Sequence, residues 1–175
     1  MNGLKTRRMQ KKTTMLLTAG ALALAPALAL AENPHIDVAV RSSGAVAEIV
    51  FLNSACPNGQ RGCVQMPRGE RNWISWEFDA DSARAGWSFD SLYFGVADKQ
   101  TGNLKDCTVT AFGLSEADRS SGHASTAEIF ANGKRLRIWD ENDSECVTHY
   151  TLRAVNDATG QTAESDPVID NRGRN

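Results

Sequence analysis

Apolar residues occur at every second position through most of the chain after residue 35, which is the pattern of strands with one buried face. The stripes at 36–40, 74–78 and 92–96 show this alternation most clearly. Sustained helical periodicity is missing from the sequence, and only residues 115–120 fit one helical turn. Further predicted strands lie at 45–52, 107–112, 127–131, 135–139, 146–154 and 161–165.

Turn residues separate these segments, and the strongest turn signal is Asn132-Gly133. Both residues tolerate a positive φ, so the segments on either side are expected to pair as a hairpin. Eight or nine short strands with such punctuation predict an all-β fold. We expect one antiparallel β-sandwich of the immunoglobulin-like or jelly-roll type.

Residues 1–31 have the pattern of a secretory signal peptide, which would be cleaved from the mature protein. A basic leader without acidic residues precedes a short apolar run and the small residues Ala29-Leu30-Ala31. That run is roughly half of the ~20 residues a membrane-spanning helix needs, so no transmembrane segment is expected in the mature chain. The leader favours the general secretory route over twin-arginine export. The predicted divisions are a signal peptide at 1–31, a β-sandwich domain at 32–172 and a flexible tail at 173–175.

Removal of the leader changes the charge balance. All five of its charges are basic, so the mature part keeps 14 of the 19 Lys and Arg residues and all 21 Asp and Glu residues. A protein that follows nucleic-acid phosphates needs an excess of cations, whereas this net charge is about −7. The sequence therefore predicts a periplasmic or secreted protein with no nucleic-acid partner.

All four cysteines lie in the mature part, and an even number in an exported chain indicates two disulfides. Cys56 and Cys63 enclose turn-forming residues, so we expect them to pair with each other. Cys107 and Cys146 would then join two distant strands. Zinc is the alternative, but the spacing is wide and no pair of histidines accompanies it.

Several segments carry a family resemblance: 136–142 (LRIWDEN), 150–152 (YTL), 165–172 (SDPVIDNR), 73–76 (WISW) and 86–89 (GWSF). Together they resemble the small bacterial family known as DP-EP, which is named for short proline dipeptides. The resemblance covers about 36–172, although the chain reads Arg172-Gly173 where the family has its Glu-Pro dipeptide. It implies a β-sandwich or jelly-roll fold. The family has no established activity, so no functional residue follows from it.

Tryptophans are the first candidates for ligand binding. Trp76 shares a strand face with Ile74 and Phe78 and is expected in the core. Trp139 shares its face with two arginines, which permits a cation–π contact. The three tryptophans that either pack under loops or stack on sugar rings are Trp73, Trp87 and Trp139.

Two charged clusters are further candidates. Arginines in the long cysteine-bearing connection either form a cationic patch for an anionic partner or only aid solubility: Arg61, Arg68 and Arg71. Oxygen-bearing side chains immediately before Cys146 either hold calcium or form a solvated turn: Asp140, Asn142, Asp143 and Glu145. No other cofactor is expected.

Catalytic motifs are missing from the sequence. Ser120, Ser121 and His123 lie close together, but no Gly-x-Ser-x-Gly motif supports a catalytic triad. The sequence therefore predicts a non-enzymatic binding or structural interaction module with an unidentified protein or glycan partner, in which the disulfide-bearing loop makes contact. A carbohydrate-binding module, with or without calcium, is the alternative, and a hydrolase of unknown type is the third.

Overall fold

The computed structural model describes residues 33–57, 59–95 and 103–173. The predicted signal peptide and residues 174–175 of the predicted tail lie outside these ranges. The strands of the described part are β1 (His35–Ser43), β2 (Val46–Phe51), β3 (Val64–Met66), β4 (Asn72–Phe78), β5 (Trp87–Phe94), β6 (Glu128–Phe130), β7 (Arg135–Asp140), β8 (Glu145–Asn156), β9 (Thr162–Ser165) and β10 (Val168–Arg172). Its helices are α1 (Ala80–Arg84), α2 (Asp106–Ala111) and α3 (Glu116–Ser121). None of these helices is long and apolar enough to cross a membrane.

The strands form one hydrogen-bonded sheet in the order β3-β10-β8-β9-β2-β1-β4-β7-β6, and β5 pairs with β8 as a branch. The prediction of a mostly β fold is confirmed. The prediction of a purely antiparallel sheet is wrong, because β1–β4, β2–β9 and β3–β10 are parallel pairs. Alternation of apolar residues indicates which face of a strand is buried, but it carries no information about strand direction.

The sheet folds back on itself to enclose one core. Trp76 on β4 donates a hydrogen bond of 2.9 Å to the Tyr150 hydroxyl on β8, and the two ring centroids are 5.1 Å apart. Four strand positions separate β4 from β8, which would place them roughly 19 Å apart in a flat sheet. The two halves therefore face each other as two layers. Inward residues of both layers include Ile36, Val38, Ile74, Trp76, Leu136, Ile138, Tyr150 and Leu152.

Two predicted local features are confirmed. β6 and β7 pair as an antiparallel hairpin around Asn132 and Gly133, whose φ values are 55° and 81°. The helical turn predicted at 115–120 is α3, which begins with a capping box between Ser115 and Asp118. Both features depend on residues adjacent in sequence, so local chemistry was enough to predict them.

The strand predicted at 107–112 is wrong, because residues 106–111 form the helix α2 and Phe112 is its C-cap. Alternation over six residues fits a strand, but Thr108 and Ala111 are the residues buried in the helix, at the i, i+3 spacing of one helical face. Leu104 and Phe112, at the ends of the helix, are also buried in the core. Tertiary packing therefore decides the conformation of this short segment.

Both predicted disulfides are present, and the described residues contain no free cysteine. Cys56–Cys63 closes a short loop, which we call the stapled loop (residues 53–63). Cys107–Cys146 joins α2 to β8, not two strands as expected. Because all four sulfurs are used in disulfides, the zinc alternative is wrong.

The stapled loop is attached to the core at Gly62. The Tyr150 hydroxyl donates a hydrogen bond of 2.6 Å to the Gly62 carbonyl oxygen. Gly62 has a φ of 73°, and a Cβ added there would lie 2.6 Å from atoms of the Phe51 ring. The loop can therefore reach the core only with glycine at this position.

Replacing Gly62 with alanine should lower the free energy of unfolding by about 3 kcal/mol, because left-handed backbone strain adds to overlap with the Phe51 ring. Urea denaturation measures the change. Gly59→Ala is the matched control, because Gly59 lies in the same loop with a φ of 69° and nothing near its missing Cβ. That variant should lose only about 1 kcal/mol. Equal losses in the two variants would contradict the packing account.

The boundary predicted between domain and tail needs one adjustment. Gly173, placed in the flexible tail by the sequence, is buried. Its amide donates to Asn142 Oδ1 at 3.0 Å, and its carbonyl oxygen accepts a hydrogen bond of 2.7 Å from the Gly69 amide. Gly173 therefore belongs to the folded domain.

Candidate functional site

Outward side chains of β1, β4, β7 and β6 form a continuous surface, which we call the outer face. In β4 the inward residues are Ile74, Trp76 and Phe78, so the residues between them point outward. The same alternation applies along β1 and β7. The outer face comprises His35, Asp37, Trp73, Ser75, Glu77, Glu128, Phe130, Arg135, Arg137 and Trp139.

Strand register arranges these side chains in rows across the sheet. Trp73 lies opposite Trp139 on the neighbouring strand. The second row is His35, Ser75, Arg137 and Glu128, and the third is Asp37, Glu77, Arg135 and Phe130. Residues in one row are cross-strand neighbours whose side chains can interact directly.

Aromatic rings and one guanidinium make the central contacts. The rings of Trp73 and Trp139 meet edge to face, with centroids 5.4 Å apart. The guanidinium carbon of Arg137 lies 4.0 Å from the Trp73 ring centroid and 5.2 Å from that of Phe130. The expected cation–π contact therefore exists, but on Trp73 rather than on Trp139. The Trp139 indole N–H donates to Glu141 at 2.8 Å, and both tryptophans are half-buried.

Each arginine of the outer face is paired with a glutamate. Arg135 Nε lies 2.7 Å from Glu77 Oε2, and Arg137 Nη2 lies 2.7 Å from Glu128 Oε2. The positive charges of the arginines and the negative charges of the glutamates within the outer face therefore cancel. These pairs are partly exposed, so they orient side chains more than they stabilise the fold.

The three arginines predicted to form a cationic patch lie on both sides of β3, in the connection between β2 and β4. Arg61 is exposed in the stapled loop, and Arg68 is exposed in the turn between β3 and β4. Arg71 lies just before β4, where its guanidinium is 3.7 Å from the Glu141 carboxylate that also accepts from Trp139. Arg71 is thus connected to the edge of the outer face.

Trp87 is the exception among the three candidate tryptophans, because only 4% of its surface is exposed. A register shift in β5 between Phe89 and Ser91 explains why the sequence left it undetermined. The shift changes which alternate positions point inward, so Trp87 and Phe89 face the core as well as Leu92. Its remaining edge lines a groove of about 400 Å³ away from the outer face. Trp87 is therefore a core residue and does not belong to the outer face.

The four predicted calcium ligands are divided between the core and the surface. Asp140 and Asn142 are fully buried, whereas Asp143 and Glu145 are exposed. Asn142 uses its side chain to bind the backbone, donating to the carbonyl oxygens of Pro67 and Glu70 at 2.7 and 2.8 Å. Within the described ranges, no group of three or more His, Cys, Asp or Glu residues is arranged to hold a metal ion.

Asp140 instead belongs to a buried polar cluster. Its Oδ1 accepts from the Asn142 amide at 2.8 Å and from Asn171 Nδ2 at 3.1 Å. Among the described residues, Asp140 Oδ2 and Asn171 Oδ1 are buried without a hydrogen-bond partner. Burial is the largest cause that raises the pKa of Asp140, which is about 7. The two hydrogen bonds lower this pKa, and the nearby charges of Asp143 and Glu141 raise it.

The serines and histidine weighed for catalysis in the sequence do not form a triad. The Ser121 hydroxyl accepts from the backbone amide of His123, and Ser120 donates to a helix carbonyl. Asp118 lies in the same helix, α3, and its carboxylate accepts hydrogen bonds from two serines. Burial raises its pKa, but hydrogen bonds from Ser115 and Ser125 outweigh this effect and lower the pKa to about 2.

Sequence reasoning missed His35, Asp37 and Ser75 as members of one surface. His35 and Ser75 are distant in sequence and meet only because β1 and β4 are parallel neighbours. Models of known protein families and curated proteins give no match to this chain. The resemblance to the DP-EP family stays a prediction.

Proposed function

We propose that this protein is an exported β-sandwich that acts as a binding module and holds a neutral glycan on its outer face. The pair formed by Trp73 and Trp139 carries the proposal, because half-buried indole rings on a sheet face offer apolar surface to the C–H side of a sugar ring. Arginine and glutamate head groups around them offer donors and acceptors for hydroxyl groups. The two disulfides support an oxidising compartment such as the periplasm or the extracellular space.

The pairing of charges favours an uncharged ligand. Arg71, Arg135 and Arg137 each lie beside a glutamate, so an anionic ligand would have to displace a carboxylate that is already in place. Arg71, one of the three arginines predicted to form a cationic patch, is already paired with Glu141.

A protein partner on the same face is the second candidate. The stacking of Arg137 on Trp73 favours it, because tryptophan and arginine dominate the energetics of protein interfaces. This candidate keeps the predicted interaction role but moves the contact surface from the cysteine-bearing connection at 53–72 to the outer face.

Neutral oligosaccharides should change the tryptophan fluorescence of the wild-type protein in a saturable titration, and Trp139→Ala should weaken binding about tenfold or more. Loss of one aromatic contact worth about 1.4 kcal/mol corresponds to that factor. Trp87→Phe is the matched control, because Trp87 is buried away from the outer face and should leave binding unchanged.

If the tryptophan fluorescence stays unchanged when each of a panel of neutral hexasaccharides is added, the glycan proposal is contradicted. Equal affinities of the wild type and Trp139→Ala would contradict the placement of the site. Recovery of a protein partner that binds the wild type but not Trp139→Ala would favour the second candidate.

A further inference from the structure

Ser75, His35 and Asp37 are linked by hydrogen bonds on the outer face. His35 Nδ1 is 3.0 Å from Ser75 Oγ, and His35 Nε2 is 3.2 Å from Asp37 Oδ1. We infer that Ser75 is a nucleophile, with His35 as its general base and Asp37 as the orienting carboxylate, and that its substrates are carboxylic esters. This inference goes beyond the proposed binding function, does not depend on it, and departs from the sequence expectation of a protein without catalytic residues.

One tautomer of His35 satisfies both contacts. If Nδ1 accepts the Ser75 hydroxyl proton, Nε2 carries the ring proton and donates it to Asp37. The competing acceptor for Ser75, the Pro34 carbonyl oxygen, is farther away at 3.4 Å. The order nucleophile, base and carboxylate is therefore the one that nucleophilic catalysis requires.

Asn53 holds the carboxylate and the histidine backbone in place. Its Nδ2 donates to Asp37 Oδ2 at 3.1 Å and to the His35 carbonyl oxygen at 3.2 Å, while its Oδ1 accepts from the Asp37 amide at 2.9 Å. Asn53 is thus a positioning residue, which acts through Asp37 and His35.

Charged side chains adjoin the three residues. Glu77 Oε2, which also accepts from Arg135, lies 3.9 Å from His35 Nε2. Arg137 is the cross-strand neighbour of Ser75, and its guanidinium is paired with Glu128. The side chains of His35 and Asp37 are 42% and 52% exposed, so an ester and water can both reach the site.

The reaction consumes one water molecule. Ser75 Oγ attacks the ester carbonyl carbon while its proton passes to His35 Nδ1, and that proton then goes to the departing alcohol oxygen. Water attacks the resulting acyl-Ser75 ester, and His35 takes the proton of the water. The carboxylic acid leaves, and the proton returns to Ser75.

Labelling with a fluorophosphonate probe tests the inference, because such probes phosphonylate an activated serine with loss of fluoride. Intact-mass measurement should show one added phosphonate on the purified wild-type protein, and peptide mapping should place it on Ser75. His35→Ala should slow labelling by about 100-fold, in line with the contribution of a general base. Ser42→Ala, an exposed serine on the same strand as His35, is the control and should label like the wild type.

Peptide mapping of the wild type identifies the labelled residue even if Ser75→Ala fails to fold. A lack of labelling, labelling of another residue, or an unchanged rate in a folded His35→Ala protein would overturn the inference. Any of these results would leave the tryptophan-dependent glycan binding unaffected, so the two proposals fail independently.

Discussion

Removing the Cys107–Cys146 disulfide with the double substitution Cys107→Ala and Cys146→Ala should lower the free energy of unfolding by about 4 kcal/mol. The cysteines are 39 residues apart, so the disulfide restricts a long loop in the unfolded chain. It also holds α2 against β8, where Thr108 and Thr148 are buried with their hydroxyl groups 2.7 Å apart. Chemical denaturation without reductant measures the loss, and the melting temperature should fall by more than about 10 °C.

The stapled loop provides the comparison. Cys56 and Cys63 are only 7 residues apart, so removal of their disulfide should cost about 2.5 kcal/mol. An equal or larger loss for the short loop, or a loss below about 1 kcal/mol for Cys107–Cys146, would show that the long disulfide does not stabilise the fold in this way.

The free energy of unfolding should fall by up to about 4 kcal/mol as the pH rises from 4 to 7, because of Asp140. The pKa of Asp140 is about 7 in the folded protein and near 3.8 when unfolded. Between these values the folded state holds a proton that the unfolded state has lost. The stabilisation is therefore complete below about pH 4 and lost as the pH rises through 7. Urea denaturation at several pH values measures this slope.

Asp140→Asn is the matched variant, because an amide group has the shape of the protonated acid and cannot ionise. Its side-chain oxygen can take the place of Asp140 Oδ1, which accepts from Asn142 and Asn171. We expect this variant to remove most of the pH dependence between 4 and 7 and to be more stable than the wild type at pH 8. The lowered pKa of Asp118 acts in a separate window, since its contribution is lost only below about pH 4. An unchanged slope in Asp140→Asn would exclude Asp140 as the cause.

Features that depend on neighbouring residues could be predicted from the sequence. The hairpin at Asn132-Gly133, the turn of α3 and the Cys56–Cys63 disulfide all follow from local turn and capping chemistry. Burial of Trp76 followed from alternation along β4. In each case the relevant signal lies within a few residues of the feature.

Features that depend on strand pairing could not be predicted in this way. The contact of Arg137 with Trp73 and the contact of His35 with Ser75 each join separate strands and require their register. A single register shift in β5 was enough to leave the burial of Trp87 undetermined. The calcium hypothesis treated Asp140 and Asn142 as surface residues, although β10 and the turn after β3 cover them.

The indole N–H signals of the four tryptophans test most directly whether a ligand binds at the outer face. A proton–nitrogen correlation spectrum, recorded during titration with the neutral oligosaccharide that gives the largest fluorescence change, resolves these four signals. We expect the Trp73 and Trp139 signals to shift together and saturably, while Trp76 and Trp87 stay in place because they are buried in the core. Shifts confined to Trp87, or no shift at Trp73 and Trp139 under saturating ligand, would contradict ligand binding at the outer face.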